Sequence, residues 1–341
     1  MPLNERPGVY SSYEVTSSVR GSAAGGDVAC AAVGAKGSEL GCVRVTGSAE
    51  ALEKFGDCAL TDLCSVALRC GAGAVVCRAV ETGADAEDYA AAFGELCAVE
   101  GIGTMFCDSR SADMHEAMME AILAAGESCR YRIGIAESAG TADELSAAAK
   151  ALNCERMILA AAESTEAAGS YAAALAGAIA ATADPALPIN GAELRAIGCS
   201  LRYTDADVNT LVRAGVTLIE NDAGTPTVLR AVTTRTTTGG AADATWREVT
   251  TVRIIDEVIP AIRTALRSRF SRAKNTEQTR GAIRTQVIIE LQDRVAREII
   301  DGYGDVTVAP SESDPTVCEV GFGFTVAHGL NHIYLAAKIT V

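Results

Sequence analysis

Histidine is nearly missing from this sequence, with three in 341 residues, and that scarcity removes most general-base and metal-ligand chemistry at once. His115 lies in the acidic run ADMHEAMME, where a solvated place on a helix surface is the expectation. His328 and His332 are four apart, a metal spacing on a helix, but Gly329 and the strand pattern after it put them across a turn. No G-x-S-x-G is present, and GAGAVV at 71–76 and GIGTMF at 101–106 run into strands instead of opening a helix around a phosphate. Aromatics are only 4% while alanine is abundant, which favours close-packed helices and α/β layers over a carbohydrate-binding sandwich. Basic charge is short as well. A net charge of -15 argues against non-specific binding to nucleic acid or anionic membranes. No run of about 18 apolar residues escapes charge and glycine breaks, and no basic stretch leads into an apolar one at the N-terminus, so neither a membrane anchor nor a signal peptide is expected.

Cysteine is plentiful, twelve in all, yet C-x-x-C pairs are lacking. Cys58, Cys64, Cys70 and Cys77 have five or six residues between successive members, and the others stand singly in apolar contexts, so free thiols acting as small buried hydrophobes in a reducing cytoplasm are expected. The adjacent carboxylates Glu87/Asp88, Asp143/Glu144 and Asp256/Glu257 read as solvated helix faces. No catalytic residue, metal or cofactor emerges.

What is present is alternation. Residues 28–45 read as strand, glycine loop, strand; Ser48 can cap a short helix ending before Gly56; a helix over 61–70 and a strand over 74–80 follow. Beyond residue 81, helices are expected at 85–98, 111–126, 141–151 and 165–181, with strands at 102–107, 131–136, 156–161, 194–199 and 216–220. That order predicts an α/β layer on a largely parallel sheet. Between residues 81 and 170 there are 17 acids against five bases, whereas from Trp246 to Ile300 there are 11 bases against seven acids, so two faces of opposite sign are expected. TWREVTTVRIIDEVIPAIRTALRSRF carries a helical apolar stripe from Trp246 to Phe270, with a kink expected at Pro260. IRTQVIIELQDRVAREII is a second helix, with Glu290/Arg294 and Asp293/Arg297 as surface pairs.

Both chain ends read as strands. In HIYLAAKITV, Ile333, Leu335, Ile339 and Val341 alternate with Tyr334 and its neighbours, and in GVYSSYEV Val9, Tyr13 and Val15 alternate with Tyr10. An apolar strand at a terminus needs a neighbour, because a bare edge is an aggregation template.

In this order the segments resemble the tail sheath protein family of contractile phages, R-type bacteriocins and related contractile injection systems. The resemblance rests on RPGVY at 6–10, AAVGAKGSELGCVRVTGSAEALEKFG at 31–56, LTDLCSVALRCGAGAVVCRAV, LVRAGVTLIEND at 211–222, VLRAVTTRTT at 228–237, WREVTTVRIIDEVIPAIR at 246–263 and the closing GFGFTV and IYLAAKITV. The middle, about 85–185, is similar only in character. The resemblance implies an α/β (α+β overall) chain: an arm and linker at 1–22, a β-rich segment at 23–84, an outer α/β domain at 85–232, and a C-terminal polymerisation domain at 233–341 with its terminal strand arm. It implies no enzyme, but a subunit that polymerises helically around an inner tail tube protein, contacts baseplate and tail terminator proteins, and contracts. Such a subunit is made in the bacterial cytoplasm and assembled into a phage tail or tail-like particle. The arms would be donated strands. The strand at 318–326, with Val320, Phe322, Phe324 and Val326, would be an acceptor, and 20–26 and 301–316, with Pro310 and Pro315, would be hinges. Arg263, Arg267, Arg269, Arg272, Lys274, Arg280 and Arg284 are candidates to face the tube. A cytoplasmic α/β enzyme or nucleotide-binding protein is the alternative, and a displayed binding module is disfavoured by the lack of a secretion signal.

Overall fold

Short runs of small and β-branched residues, punctuated by capped helices, build the body of the molecule. The computed structural model describes residues 26–331. Eight strands form one sheet: β1 (Asp27–Val33), β2 (Cys42–Val45), β3 (Ala74–Val80), β4 (Ile102–Cys107), β5 (Ile133–Ser138), β6 (Met157–Ala161), β7 (Val216–Asp222) and β8 (Thr225–Arg230). Their order is β2-β3-β1-β4-β5-β6-β7-β8. The inner six are parallel, and β2 and β8 close the two edges antiparallel. The strands from 23–84 thus share one sheet with those from 85–232.

The helices are α1 (Ser48–Phe55), α2 (Ala59–Arg69), α3 (Ala86–Ala98), α4 (Ala112–Glu127), α5 (Ala142–Leu152), α6 (Ser170–Ala181), α7 (Asp205–Arg213), α8 (Val249–Phe270) and α9 (Glu277–Ala296). Asp85 with Asp88, Thr141 with Glu144 and Thr204 with Asp207 form capping boxes that start α3, α5 and α7. Val28, Cys30 and Ala32 of β1 belong to the core that α2 and α6 cover and that extends to α8, whereas Ala29 and Ala31 belong to the core on the α3 and α4 side, which is the period of two expressed as two cores. Alanine serves close approach. A Cβ on Gly177 of α6 would lie 2.4 Å from the Ala67 carbonyl of α2.

The C-terminal part packs on the first of those cores through Val252, Ile255, Val258 and Ile262 of α8. After α9 the chain forms β11 (Ile300–Tyr303), β12 (Thr307–Pro310), β13 (Cys318–Gly321) and β14 (Phe324–Val326), preceded by a minor hairpin of β9 (Thr237–Thr238) and β10 (Ala241–Ala242).

Several expectations are corrected. The strand at 194–199 is absent: Leu194, Ile197 and Cys199 are buried, but in irregular chain, with one bridge at Glu193 to Thr227. α6 begins at Ser170, since Gly169 sits in the left-handed region at φ 88°. α8 starts at Val249, after Trp246, and runs on through Pro260. The single strand at 318–326 is two, parted at Phe322 and Gly323, and the expected 301–316 hinge contains β11 and β12. His115 is buried, not solvated, with Nε2 2.9 Å from the Ser109 carbonyl, and burial pushes its pKa below the ordinary 6.5. Asp256 is buried too. Arg294 is buried instead of surface-paired, so its bond to Glu290 is part of a packed network. All twelve cysteines are free thiols, seven of them buried. The expected strands containing Val9, Tyr10, Tyr13 and Val15, and Ile333, Tyr334, Leu335, Ile339 and Val341, lie outside the described residues, as does the 20–26 link apart from Gly26.

Candidate assembly surfaces

The last four strands form one long bulged hairpin. β11 pairs antiparallel with β14 (Tyr303 opposite Phe324), and β12 with β13 (Val308 opposite Val320). Between them the Gly304 amide donates to the Gly323 carbonyl at 2.9 Å, so the ladder continues across the bulge. Val320, Phe322, Phe324 and Val326 do share one face, packed on the core, while Glu319 and Thr325 face outward. Phe322 and Phe324 stack with ring centroids 6.5 Å apart and 9° between planes. Arg284 of α9 fastens the ribbon by donating Nε to the Val306 carbonyl at 2.8 Å. Asn275 holds its tip through the Pro315 and Val317 carbonyls at 2.9 and 3.2 Å. At that tip the hydroxyl and amide of Thr316 bind the Asp314 carboxylate and hold it below its ordinary range. Among the described residues neither strand of this ribbon has a second strand neighbour, so both outer edges offer main-chain hydrogen-bonding groups.

The seven basic candidates divide. Arg263 donates to the Cys129 carbonyl at 3.0 Å, Arg269 to Gln286, Arg280 to Asn275 Oδ1 at 3.0 Å, and Arg284 to the ribbon. Three of these bonds lie within the C-terminal part, and that of Arg263 ties α8 to the chain after α4. Arg267, Arg272 and Lys274 cluster at the end of α8 and in the turn before α9, exposed and with no ion-pair partner among the described residues.

An α/β sheet of this winding would hold a ligand where β1 and β4 diverge, beyond their C-terminal ends. Here that crevice is filled by the protein itself. Asp108 accepts from the Val33 amide at 2.8 Å and from the Tyr89 hydroxyl, and burial raises the Tyr89 pKa. Gly169 presses in so closely that a Cβ would lie 2.6 Å from the Cys107 carbonyl. The N-terminus of α6 is occupied by the buried Glu137 carboxylate, which accepts from Tyr171 and Ala172 amides at 2.8 and 3.1 Å and from Arg110 at 2.9 Å.

Two models of one family match the chain: the phage tail sheath protein central domain over residues 79–234 and the phage tail sheath C-terminal domain over 241–340. The chain belongs to the phage tail sheath family. Solved structures share its fold. The helical sheath of the anti-feeding prophage in its contracted state aligns over 98% of this chain and 99% of that one, at 16% identity and a TM-score of 0.74. A chain of the anti-feeding prophage baseplate aligns over 99% and 100%, at 17% identity and 0.72. A sheath tail protein from Desulfitobacterium hafniense aligns over 94% and 100%, at 12% identity and 0.67. A comparison with curated proteins finds no match.

In this sheath chain the most conspicuous polar pair joins the parts matched by the two family models. Arg156, at the head of β6, binds Asp256 of α8 through two hydrogen bonds of 3.0 Å, both side chains buried, with the guanidinium 4.9 Å from the Tyr131 ring centroid. Beside it Glu257 accepts from Arg294 of α9 and from Arg297 just after it, at 3.5 and 3.4 Å. Burial pushes the Arg253 guanidinium, which donates to the Thr182 and Leu187 carbonyls, down to about 10. Sequence reading missed all of this. The available signal was the position of Asp256 inside the apolar stripe of α8.

Proposed function

We propose that this chain is the structural subunit of a contractile sheath that polymerises helically around an inner tube, joins a baseplate at one end and a terminator at the other, and does no catalysis of its own. The observation that carries the reading is the open-edged ribbon of β11 to β14, five residues before an alternating segment at 332–341. In this reading the residues around Ile333, Leu335 and Ile339 are donated to the ribbon edge of a neighbour, and Val9 to Val15 are donated likewise. Strand addition supplies main-chain hydrogen bonds for affinity and alternating side-chain pockets for register. Because the donor and acceptor surfaces differ, repeated pairing propagates from subunit to subunit, and it builds a helix where the rotation does not close a ring. Family membership of both matched domains supports the same reading.

Arg267, Arg272 and Lys274 form the surface we assign to the tube, narrowed from seven candidates because the other four are engaged within the chain. Electron microscopy of the full-length chain beside a truncation lacking 332–341 tests the core of the proposal. Regular tubes are expected from the full-length chain and a folded, dispersed body from the truncation. Tubes from both would remove the donated-strand role.

A further inference from the structure

Five residues separate β14 from residue 332, and they take no regular structure. Their course is nevertheless fixed. The Ala327 amide donates back to the Ile299 carbonyl at 3.4 Å, and Gly329 lies against Pro188 so tightly that a Cβ would fall 2.2 Å from the proline Cγ. Then Asn331 is gripped. Its Oδ1 accepts from Asn190 Nδ2 at 3.1 Å and from Arg230 Nη1. The other arm of the Arg230 fork, Nη2, binds Glu248, and Asn190 Oδ1 accepts from the Ala231 amide at 2.9 Å, which sets the direction of its side-chain amide. Glu248 itself is bridged through its backbone to Val232 immediately before α8. Asn190 and Arg230 belong to the matched central domain, Glu248 and Asn331 to the C-terminal one.

We infer that Asn190, Arg230 and Glu248 form a clamp on Asn331 that fixes the root of the terminal segment to the junction of the two domains. The inference rests on the proposed role of 332–341 as a donated strand. A donated strand transmits force to its own body through its root, and β14, three residues long, is a weak root by itself. A pull on 332–341 would strip β14 from β11 one pair at a time. With Asn331 held, the load passes instead through the guanidinium fork into β8 and the start of α8. The bond from Arg230 is charge-assisted, a class roughly twice as strong as a neutral hydrogen bond, and the Glu248 pair holds its guanidinium in place.

The test compares the full-length wild type with N331A, R230A and N331D, each first checked for a native melting transition. In N331D the new carboxylate still accepts from Arg230 and Asn190, so it serves as the conservative variant. Hydrogen exchange of the dispersed chain over residues 324–327, whose strand pairs with β11 and whose Ala327 amide bonds the Ile299 carbonyl, is expected to quicken about tenfold or more in N331A and R230A, the effect of losing a hydrogen bond to a charged group, and to stay slow in N331D. Unchanged exchange in N331A and R230A would overturn the clamp. Electron microscopy of the same samples then reads its mechanical role. Regular wild-type tubes beside N331A tubes of irregular helical order support it, and indistinguishable tubes overturn it. If wild type forms no tubes while exchange responds as expected, the clamp stands and the donated-strand role on which it rests falls.

Discussion

At the scale of single residues, the decisive feature is a charge pair where the sequence promised a solvated carboxylate. Asp256 and Arg156 are 2% and 3% exposed. Burying both ions costs several kcal/mol that their mutual bonds only partly return, so the pair specifies how α8 sits on β6 more than it adds stability. Removing one partner is different, because an uncompensated charge stays behind. D256A is expected to destabilise the chain by about 3–5 kcal/mol in urea unfolding. The double variant R156M/D256L should recover much of that loss, and equal losses in the single and double variants would show that the charge itself is not the cause. Asp256 illustrates why the site residues were less legible than the fold. Helical period places position 256 among Val252, Ile255 and Ile259, but residue type says exposed, and without its partner 100 positions away the type wins. His115 was misread for the same reason, since the acidic residues beside it gave no hint of its burial or of the Ser109 carbonyl that its ring bonds.

At the scale of elements, the parallel strands and capped helices were legible because their signals are local. A run such as AVVCRAV between turn residues, or Thr141 three before Glu144, needs no partner to be read. The errors fall where geometry is set from far away: the 194–199 segment has the apolar content of a strand, yet the chain pairs with the outer edge of β8 only up to Leu194 and then turns away from it. The α8 to α9 turn is the element with a prediction. Arg269 is bound to Gln286 and Arg263 to the end of α4, so reversing either would test folding as much as contact. Arg267, Arg272 and Lys274 have no such duty. The triple variant R267E/R272E/K274E should melt within about 2 °C of wild type, as surface changes generally do. It should still form sheath tubes, but co-sediment with inner tube far less. Undiminished co-sedimentation would move the tube contact to another face.

At the scale of the whole molecule, the proposed function places two kinds of contact with opposite requirements on one C-terminal domain. In that proposal the ribbon edges keep their partners while bodies rotate, and the basic turn releases its partner. Main-chain ladders and apolar pockets are little affected by salt, whereas exposed charges a few ångströms apart are screened once the Debye length falls to about 3 Å near 1 M salt. Each exposed pair is worth only about 0–1 kcal/mol, so contact through a cluster of three is easily undone. The two sets of bonds should therefore separate on a salt gradient. Assembled particles brought from about 0.1 to 1 M sodium chloride are expected to loosen the sheath from its tube, while the sheath lattice, followed by its layer lines in electron micrographs, persists. If the lattice dissolves at the same salt as the tube contact, the subunits are joined by charge and not by exchanged strands, and the ribbon loses the role its open edges suggest.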